Sequence, residues 1–238
     1  DDNDPTQTQV NTAEKELRDA INQKGADDKV KVVEKLVKDG QKPSEEDINK
    51  AQEAIDNVTD PTAKKELQDR LDKAKALDEL KDAKDDLDKV IAKAVEENKP
   101  KDETNKAKKE SEKADEIIKN GGDGKTAEDL VKEVESIKEI TKKLGQPAIQ
   151  ITIDSAIYNG NNLIFTTNPG RCKIFINIYH DDGTEKTIET TTGPAGSGSV
   201  LLDKPLQVGD YIEVKATRKL KPTDKPDYLD NSTSTYVY

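Results

Sequence analysis

The sequence predicts a multidomain chain in which α structure precedes β structure: two small antiparallel helical bundles in series, joined by a long shared helix, then an antiparallel β-sandwich. Up to about residue 145, apolar residues recur at steps of three and four, the period of a helix. From about residue 146 the period changes to two, as in strands. The predicted divisions are a polar linker at 1–9, bundles at 10–77 and 78–145, and the sandwich at 146–238.

The composition limits the width of each core. Hydrophobic residues make up 31% of the 238 residues and charged residues 37%, with two Phe, six Tyr and no Trp. Such a chain can bury only a narrow, aliphatic core. The regular spacing of the apolar residues nevertheless indicates folding, in slender bundles with one apolar stripe per helix.

Three apolar stripes with their stop signals predict the first bundle. Gly25 is expected to interrupt the helix after the first stripe. "DGQKP" at 39–43 ends the second stripe, and "TDP" at 59–61 ends the third. Ser44, three residues before Asp47, is a candidate helix cap. The stripes are Val10, Ala13, Leu17 and Ile21; Val30, Val33, Leu36 and Val37; and Ile48, Ala51, Ile55 and Val58.

The stretch from Pro61 to Pro100 contains no Gly and no interior Pro. A helix from about Thr62 to Asn98 would be roughly 55 Å long at ~1.5 Å per residue, longer than the usual three or four turns. We expect such a helix to connect the two bundles. Its apolar residues are Leu67, Leu71, Ala74, Leu77, Leu80, Ala83, Leu87, Val90, Ile91 and Ala94.

The second bundle repeats this organisation after Pro100. "NGGDG" at 120–124 separates its last two stripes, and Thr126 is expected to cap the last helix. "INKAQEA" at 48–54 and "TNKAKKE" at 104–110 indicate a distant repeat of the first bundle. The stripes are Ala107, Ser111, Ala114, Ile117 and Ile118, then Leu130, Val134, Ile137 and Leu144.

Seven short, β-branched runs follow "GQP" at 145–147, and turns such as "NPG", "DDG" and "VGD" separate them. Seven strands in roughly 90 residues are typical of an Ig-like antiparallel sandwich. The runs are "AIQITIDSA", "NLIFTT", "CKIFINIY", "KTIETTT", "SVLL", "YIEVKATR" and "STYVY".

Two stretches resemble modules of large surface proteins of Gram-positive bacteria. "PSEEDINKAQEAIDNVTDPTAKKELQDRLDKAKAL" (43–77) is similar to their repeated helical modules, in which an Ile-x-x-Ala helix and an Asp-containing turn lead into a Leu-Gln-x-x-Leu helix. "LDKPLQVGDYIEVKATRK" (202–219) resembles the penultimate strand region of their Ig-like domains, which place a Gly-Asp turn before it. The second bundle departs from this pattern, because "NGGDG" replaces the Asp-Pro turn. The resemblance implies an adhesin-like, extracellular protein, attached to the cell wall through parts outside this chain.

Charge and hydropathy restrict the partners. Residues 1–145 hold 30 basic against 39 acidic residues and residues 146–238 hold 9 against 11, which together give the net charge of −11. Two acidic portions disfavour nucleic acid and anionic membranes as partners. No apolar run approaches the ~18 residues of a membrane span. Because the chain has no Met and no signal peptide, we expect a processed or excised segment of a longer protein.

Few residues are candidates for chemistry. Cys172 has no disulfide partner and shares a predicted strand face with Ile174 and Ile176, so we expect a buried thiol. His180, the only His, precedes "DDG" in a predicted hairpin turn and is expected to be solvated. Neither residue predicts a catalytic site, and no phosphate loop, dinucleotide motif or zinc spacing is present.

Four acidic clusters could each supply an oxygen or two to calcium, which needs six to eight. They lie at 1–4, 84–88, 120–124 and 180–183, and charge runs of this kind are usually solvated. We therefore expect no metal site and no cofactor.

The leading functional hypothesis is a non-enzymatic, structural and adhesive segment of a bacterial surface protein. Its helical modules act as an elongated spacer, and its Ig-like domain is a spacer or a binding unit. A monomer is expected. A rod of about 110 Å would have a radius of gyration of roughly 30 Å in small-angle scattering, against about 18 Å for a globule of this length.

Two alternatives stay open from the sequence. One is a specific binding module for a host protein or a glycan, in which the last strand, with Tyr236 and Tyr238 on one face, lies at an open sheet edge. The other is an intracellular coiled-coil scaffold, which would need a heptad stripe sustained over several turns.

Overall fold

A computed structural model describes residues 6–156, 160–218 and 228–237, in which five helices precede seven strands. This order confirms the predicted fold class, a helical region followed by an antiparallel β-sandwich. The helices are α1 (Gln7–Lys38), α2 (Glu45–Asp56), α3 (Pro61–Glu96), α4 (Lys101–Lys119) and α5 (Ala127–Leu144). The strands are β1 (Gln150–Ser155), β2 (Asn162–Asn168), β3 (Lys173–Tyr179), β4 (Glu185–Thr191), β5 (Ser197–Leu201), β6 (Tyr211–Thr217) and β7 (Asn231–Tyr236).

Helix α1 is continuous for 32 residues. Thr6 and Gln9 form a capping box at its start, so the helix begins within the segment 1–9 that composition predicts as a linker. The expected interruption at Gly25 is wrong. A glycine in a helix costs only about 1 kcal/mol relative to alanine, and the helical hydrogen bonds and packing on either side outweigh that cost.

Helix α2 closes a small core against α1 and the first half of α3. Ser44 and Asp47 form the predicted cap, because the Ser44 hydroxyl accepts from the Asp47 backbone N–H at 3.1 Å. The core consists of buried aliphatic side chains from the three helices. They are Ala26, Val30, Val33, Ala51, Ile55, Val58, Leu67, Leu71 and Ala74.

Helix α3 is a single helix of 36 residues, as predicted. The Asp60 carboxylate caps its start by accepting from the backbone N–H groups of Thr62 and Ala63 at 2.7 and 3.0 Å. Its buried residues change face near the middle. Leu67 and Ala76 are nine residues apart, which at ~3.6 residues per turn is two and a half turns, so they lie on opposite faces. The buried residues from Ala76 onward are Ala76, Leu77, Leu80, Ala83, Leu87, Ile91 and Ala94.

The turn between α4 and α5 depends on glycine. Gly122 has a φ of +65°, and a Cβ there would lie 3.2 Å from Leu77 and 3.4 Å from Leu130, two buried side chains. Thr126 caps α5 as predicted, since its hydroxyl accepts from the backbone N–H of Asp129 at 3.2 Å.

The chain divides into two compact units. One contains the described residues up to Asp88 together with Lys109–Glu139, and the other contains Lys89–Lys108 together with the chain from Ile140 onward. The first unit therefore holds α1, α2 and most of α3, and the second holds all the strands. The predicted boundaries at 9, 77 and 145 stay predictions.

The strands form two antiparallel sheets, with orders β1-β2-β5 and β4-β3-β6-β7. The second order places β3 and β6 at the centre, as strands C and F lie in Ig-like sandwiches. Cys172 is fully buried, as predicted, and burial raises the pKa of its thiol. The core between the sheets contains Ile149, Leu163, Phe165, Cys172, Ile174, Ile176, Ile178, Leu202, Leu206, Ile212, Val214, Ala216 and Val237.

Candidate functional site

His180 lies in the β3–β4 turn, as predicted, but the expectation that it is solvated is wrong. Its side chain is only 7% exposed, and its Nδ1 lies 2.9 Å from an oxygen of Asp210, which is 1% exposed. Because a carboxylate can only accept, Nδ1 donates this hydrogen bond. Asp210 belongs to the Gly-Asp turn before β6, so the pair joins two turns that are 30 residues apart.

Backbone donors complete the surroundings of Asp210. Its carboxylate accepts from the N–H of Gln207 at 2.9 Å and from the N–H of Asp181 at 3.1 Å. Burial raises the pKa of Asp210, but these bonds and the one from His180 outweigh burial, and the pKa lies below its ordinary value. The Asp210 carboxylate, with these three hydrogen-bond donors, therefore holds the β3–β4 turn against the turn before β6.

The surroundings of this pair do not resemble a nucleophilic site. A cavity of about 210 Å³ beside His180 is lined by Thr184, Lys186 and Lys204 among others. The Thr184 hydroxyl, the nearest candidate nucleophile, donates to Asp182 at 2.6 Å. Asp182 is a poor base for this role, because the hydrogen bonds from Lys204 and Thr184 hold the pKa of its carboxyl well below the ordinary value, so it would not readily take the proton that a nucleophilic mechanism requires it to remove.

In two of the acidic clusters, at 84–88 and 180–183, a carboxylate is engaged by lysine and hydroxyl groups. Asp88 accepts from Lys84 at 2.6 Å and from the Ser111 hydroxyl, and Asp182 accepts from Lys204 at 2.7 Å. In the part of the chain that the structure describes, no three His, Cys, Asp or Glu side chains lie together as metal ligands. The cluster at 1–4 lies outside the described residues.

Three tyrosines form a row across the outer face of the four-stranded sheet. Tyr179 of β3 is paired in register with Tyr211 of β6, which is paired with Tyr236 of β7. The ring centroids are 5.9 Å and 4.9 Å apart. Tyr179 is 37% exposed and Tyr236 is 53% exposed. We call these three residues the tyrosine row; it presents apolar ring area with hydroxyl groups to solvent.

Polar side chains adjoin the tyrosine row on the same face. The Asn177 amide lies 3.4 Å from the Glu213 carboxylate, and the Thr187 hydroxyl donates to Asn177 at 3.0 Å. These residues occupy the next outward-facing positions of β3, β6 and β4. A surface that combines aromatic rings with hydrogen-bonding groups is suited to recognising a ligand.

Strand β7 lies at the edge of its sheet, which is the arrangement that the binding alternative required. Its first residue is partly covered, since the Asn231 amide donates to the Ile149 carbonyl at 2.8 Å. Tyr238 lies outside the described residues. The sequence drew attention to Tyr236 but missed Tyr179 and Tyr211, which lie 57 and 25 residues before it.

We call the first compact unit, which holds α1, α2 and most of α3, the helical unit. It contains a groove of about 710 Å³, which is lined by residues of α1, α3 and α4 and of the turns that follow α1 and α4. Arg70 is one of its charged residues, and it pairs with Glu34 at 2.7 and 2.9 Å and with Asp27 at 2.8 Å. The hydrogen bonds to Glu34 raise the pKa of Arg70. The guanidinium therefore links α3 to α1, which is a structural role.

We expect Arg70→Lys to destabilise the helical unit by about 1–2 kcal/mol, because an ammonium cannot form the two parallel bonds to Glu34. Chemical denaturation followed by far-UV circular dichroism measures this loss. Lys42→Ala, which removes an exposed ion pair with Asp82, is the control and should destabilise the unit much less than Arg70→Lys. Equal effects of the two substitutions would contradict the role of Arg70.

No helix in the described part of the chain has the length and apolar character needed to cross a bilayer.

Among known proteins, the matches to this chain are solved structures. No family model matches the chain, and no curated protein matches it. Three matching structures are the N-terminal part of the bacterial S-layer protein SbsC (13% identity, TM-score 0.25), domains 1–6 of SbsC (12%, 0.26) and SbsC residues 31–844 (12%, 0.27). The matches cover 92%, 92% and 91% of this chain, but only 56%, 32% and 31% of those chains. With TM-scores this low, the function has to be argued from the residues of this chain.

Proposed function

We propose that the chain is a non-enzymatic structural segment of a bacterial surface protein. Its helical bundles act as a spacer, and its Ig-like domain extends the spacer or carries a binding surface. The sequence resemblance at 43–77 and 202–219 supports the surface location. The structure of α3 supports the spacer role.

The observation that carries the proposal is the change of buried face along α3. Leu67 and Leu71 are buried with residues of α1 and α2, whereas Leu80 and Leu87 are buried on the opposite face. One helix thus belongs to two successive cores, without a linker between them. A continuous helix resists bending, whereas a flexible linker lets its ends approach each other.

The charge pattern of the helices is consistent with a spacer that functions as a monomer. Exposed positions carry ion pairs one turn apart, such as Lys24 with Asp28 and Lys50 with Glu46. Each exposed pair contributes little to stability, but alternating charge keeps a narrow bundle soluble.

A distance measurement along α3 tests the spacer proposal. Spin labels at the exposed positions Lys65 and Asp85, with Cys172 replaced by Ala, are 20 residues apart, which is about 30 Å at ~1.5 Å per residue. Double electron–electron resonance is expected to give one narrow distribution near this value, broadened only by the label side chains. A broad distribution that extends to short distances would contradict a stiff α3 and hence the spacer.

The surface location has a separate test. We expect trypsin, added to intact cells that produce the full-length protein, to release peptides of this chain while cytoplasmic proteins stay intact. Protection of the chain until the cells are lysed would favour the intracellular scaffold instead.

A second candidate function, glycan binding, rests on the tyrosine row. Exposed rings on three neighbouring strands, next to Asn177 and Glu213, can pack against the apolar face of a sugar and bond its hydroxyls.

We expect the double variant Tyr179→Ser, Tyr236→Ser to lose at least about tenfold in affinity for the glycan that the unmodified chain binds on a glycan array. Leu201→Ser, at a 74% exposed position on the other sheet, is the control and should bind normally. Unchanged binding by the double variant, or capture of protein ligands alone, would contradict this candidate.

A further inference from the structure

Two large aliphatic side chains of α1 lie in solvent. Leu17 is 63% exposed and Ile21 is 62% exposed. They are four residues apart and so lie on one face of the helix. The apolar residues that α1 buries, Ala26, Val30 and Val33, all lie further along the helix.

The sequence around Leu17 recurs in α3. Residues 12–21 read "TAEKELRDAI" and residues 62–71 read "TAKKELQDRL", which are identical at six of ten positions. At the same separation of 50 residues, Leu17 corresponds to Leu67 and Ile21 corresponds to Leu71. Residues 12–21 of α1 are therefore similar in sequence to the start of α3.

The equivalent residues of α3 are covered. Leu67 is 4% exposed and Leu71 is fully buried, and both belong to the core that α1 and α2 form. The structure thus shows what covers this sequence when it is partnered: a helical hairpin made of the second half of α1, the turn at 39–44, and α2.

The change of apolar face along the helix also recurs. Ala26 corresponds to Ala76 and Val30 to Leu80, and all four are buried. Leu17 and Ala26 are nine residues apart, so they lie on opposite faces of α1, as Leu67 and Ala76 do on α3. In α3 both apolar faces are buried, whereas in α1 only the face with Ala26 and Val30 is buried. The face with Leu17 and Ile21 therefore has the residues that form a core in α3 but is not covered in α1.

We propose that residues 12–21 of α1 are the docking face for another helical hairpin of the α1–α2 type, which packs on this face as the hairpin of α1 and α2 packs on the start of α3. The hairpin would place small aliphatic residues, equivalent to Val30, Val33, Ala51 and Ile55, over Leu17 and Ile21. It would also place a polar acceptor opposite Arg18, because Gln68, the equivalent of Arg18, bonds with Gln52 at 2.7 and 3.1 Å. This inference extends the proposed spacer, and the distance measurement on α3 tests the spacer separately.

An extended chain tests the docking face. Residues 26–61 are duplicated directly before Thr12, so that "DPT" at 60–62 is reproduced at the junction with Thr12 in the register of the repeat. Hydrogen exchange of the backbone amides of 12–21 is measured in the original and extended chains. We expect exchange to slow by at least about tenfold in the extended chain, while exchange at 62–71 stays the same in both.

Two variants of the extended chain separate docking from other effects. Leu17→Glu with Ile21→Glu should restore fast exchange at 12–21. Lys15→Gln with Gln23→Glu makes the same net change in charge away from the Leu17 face, and it should leave the slowed exchange intact. If the extended chain loses its normal exchange at 62–71, a synthetic peptide of residues 26–60 is added to the original chain instead.

The alternatives have distinct outcomes. If exchange at 12–21 is not slowed in either format, or is slowed equally in the Leu17→Glu, Ile21→Glu variant, the proposal is overturned. Sedimentation of the original chain that shows a dimer, abolished by the same two substitutions, would overturn it in favour of a second copy as the partner.

Discussion

Replacing Asp210 by Ala is expected to lower the free energy of unfolding of the β-sandwich by about 3–4 kcal/mol. The carboxylate is 1% exposed and accepts from His180 and from the backbone N–H groups of Gln207 and Asp181. Removing it leaves these donors buried without a partner, at about 1–3 kcal/mol for each group that water cannot reach. All six Tyr lie at or beyond position 158, so tyrosine fluorescence during denaturation follows the sandwich alone.

The control for this prediction is Asp203→Ala. Asp203 is 76% exposed and pairs with Lys186, so its loss is expected to destabilise the sandwich far less than the loss of Asp210. A cost for Asp210→Ala no greater than for Asp203→Ala would show that the two turns fold without the buried carboxylate.

The effect of Asp210 should depend on pH. Hydrogen bonds hold the pKa of Asp210 in the folded protein below its ordinary value of 3.8, so the ionised group stabilises the folded state. This contribution is complete well above pH 3.8 and is lost as pH falls through the folded pKa. The difference in melting temperature between the unmodified chain and Asp210→Asn should therefore shrink as pH falls from about 4 through the folded pKa of Asp210.

The helices could be predicted because their signals are local. Apolar spacing predicted α3 from Thr62 to Asn98, and the observed helix is Pro61–Glu96. Capping by Ser44 and by Thr126 follows from residues three positions apart. The prediction at Gly25 was wrong because a glycine ends a helix only where the flanking helical hydrogen bonds and packing do not outweigh its lower helix propensity.

The residues of the candidate site could not be predicted in the same way, because their partners are distant in sequence. His180 sits in a polar turn, and its burial depends on Asp210, 30 residues later. The tyrosine row requires the register of β3 with β6 and of β6 with β7, which pairs Tyr179 with Tyr211 and Tyr211 with Tyr236. Alternation shows that a residue faces outward, but the neighbour across the strand is known only once register is fixed.

Replacing Ala76 by Pro is expected to destabilise the helical unit by at least about 3 kcal/mol. Ala76 lies in the interior of α3, where proline removes a backbone hydrogen bond and its ring clashes with the preceding turn. The position is also where the buried face changes, so the break falls between the two cores. Ala76→Gly keeps the hydrogen bond and should cost only about 1 kcal/mol, which separates the effect of proline from the loss of the alanine methyl group.

Ala76→Pro also distinguishes a spacer from two bundles that are merely adjacent in sequence. If the stiffness of the segment depends on α3, the distance distribution between labels at Lys65 and Asp85 should broaden and reach shorter distances, while Ala76→Gly leaves it narrow. Tyrosine fluorescence should report an unchanged sandwich in both variants, because all six Tyr follow the end of α5 in the sequence. A narrow distribution near 30 Å in the proline variant would mean that contacts other than the α3 backbone hold the two cores in place, and the spacer proposal would then lose the observation on which it rests.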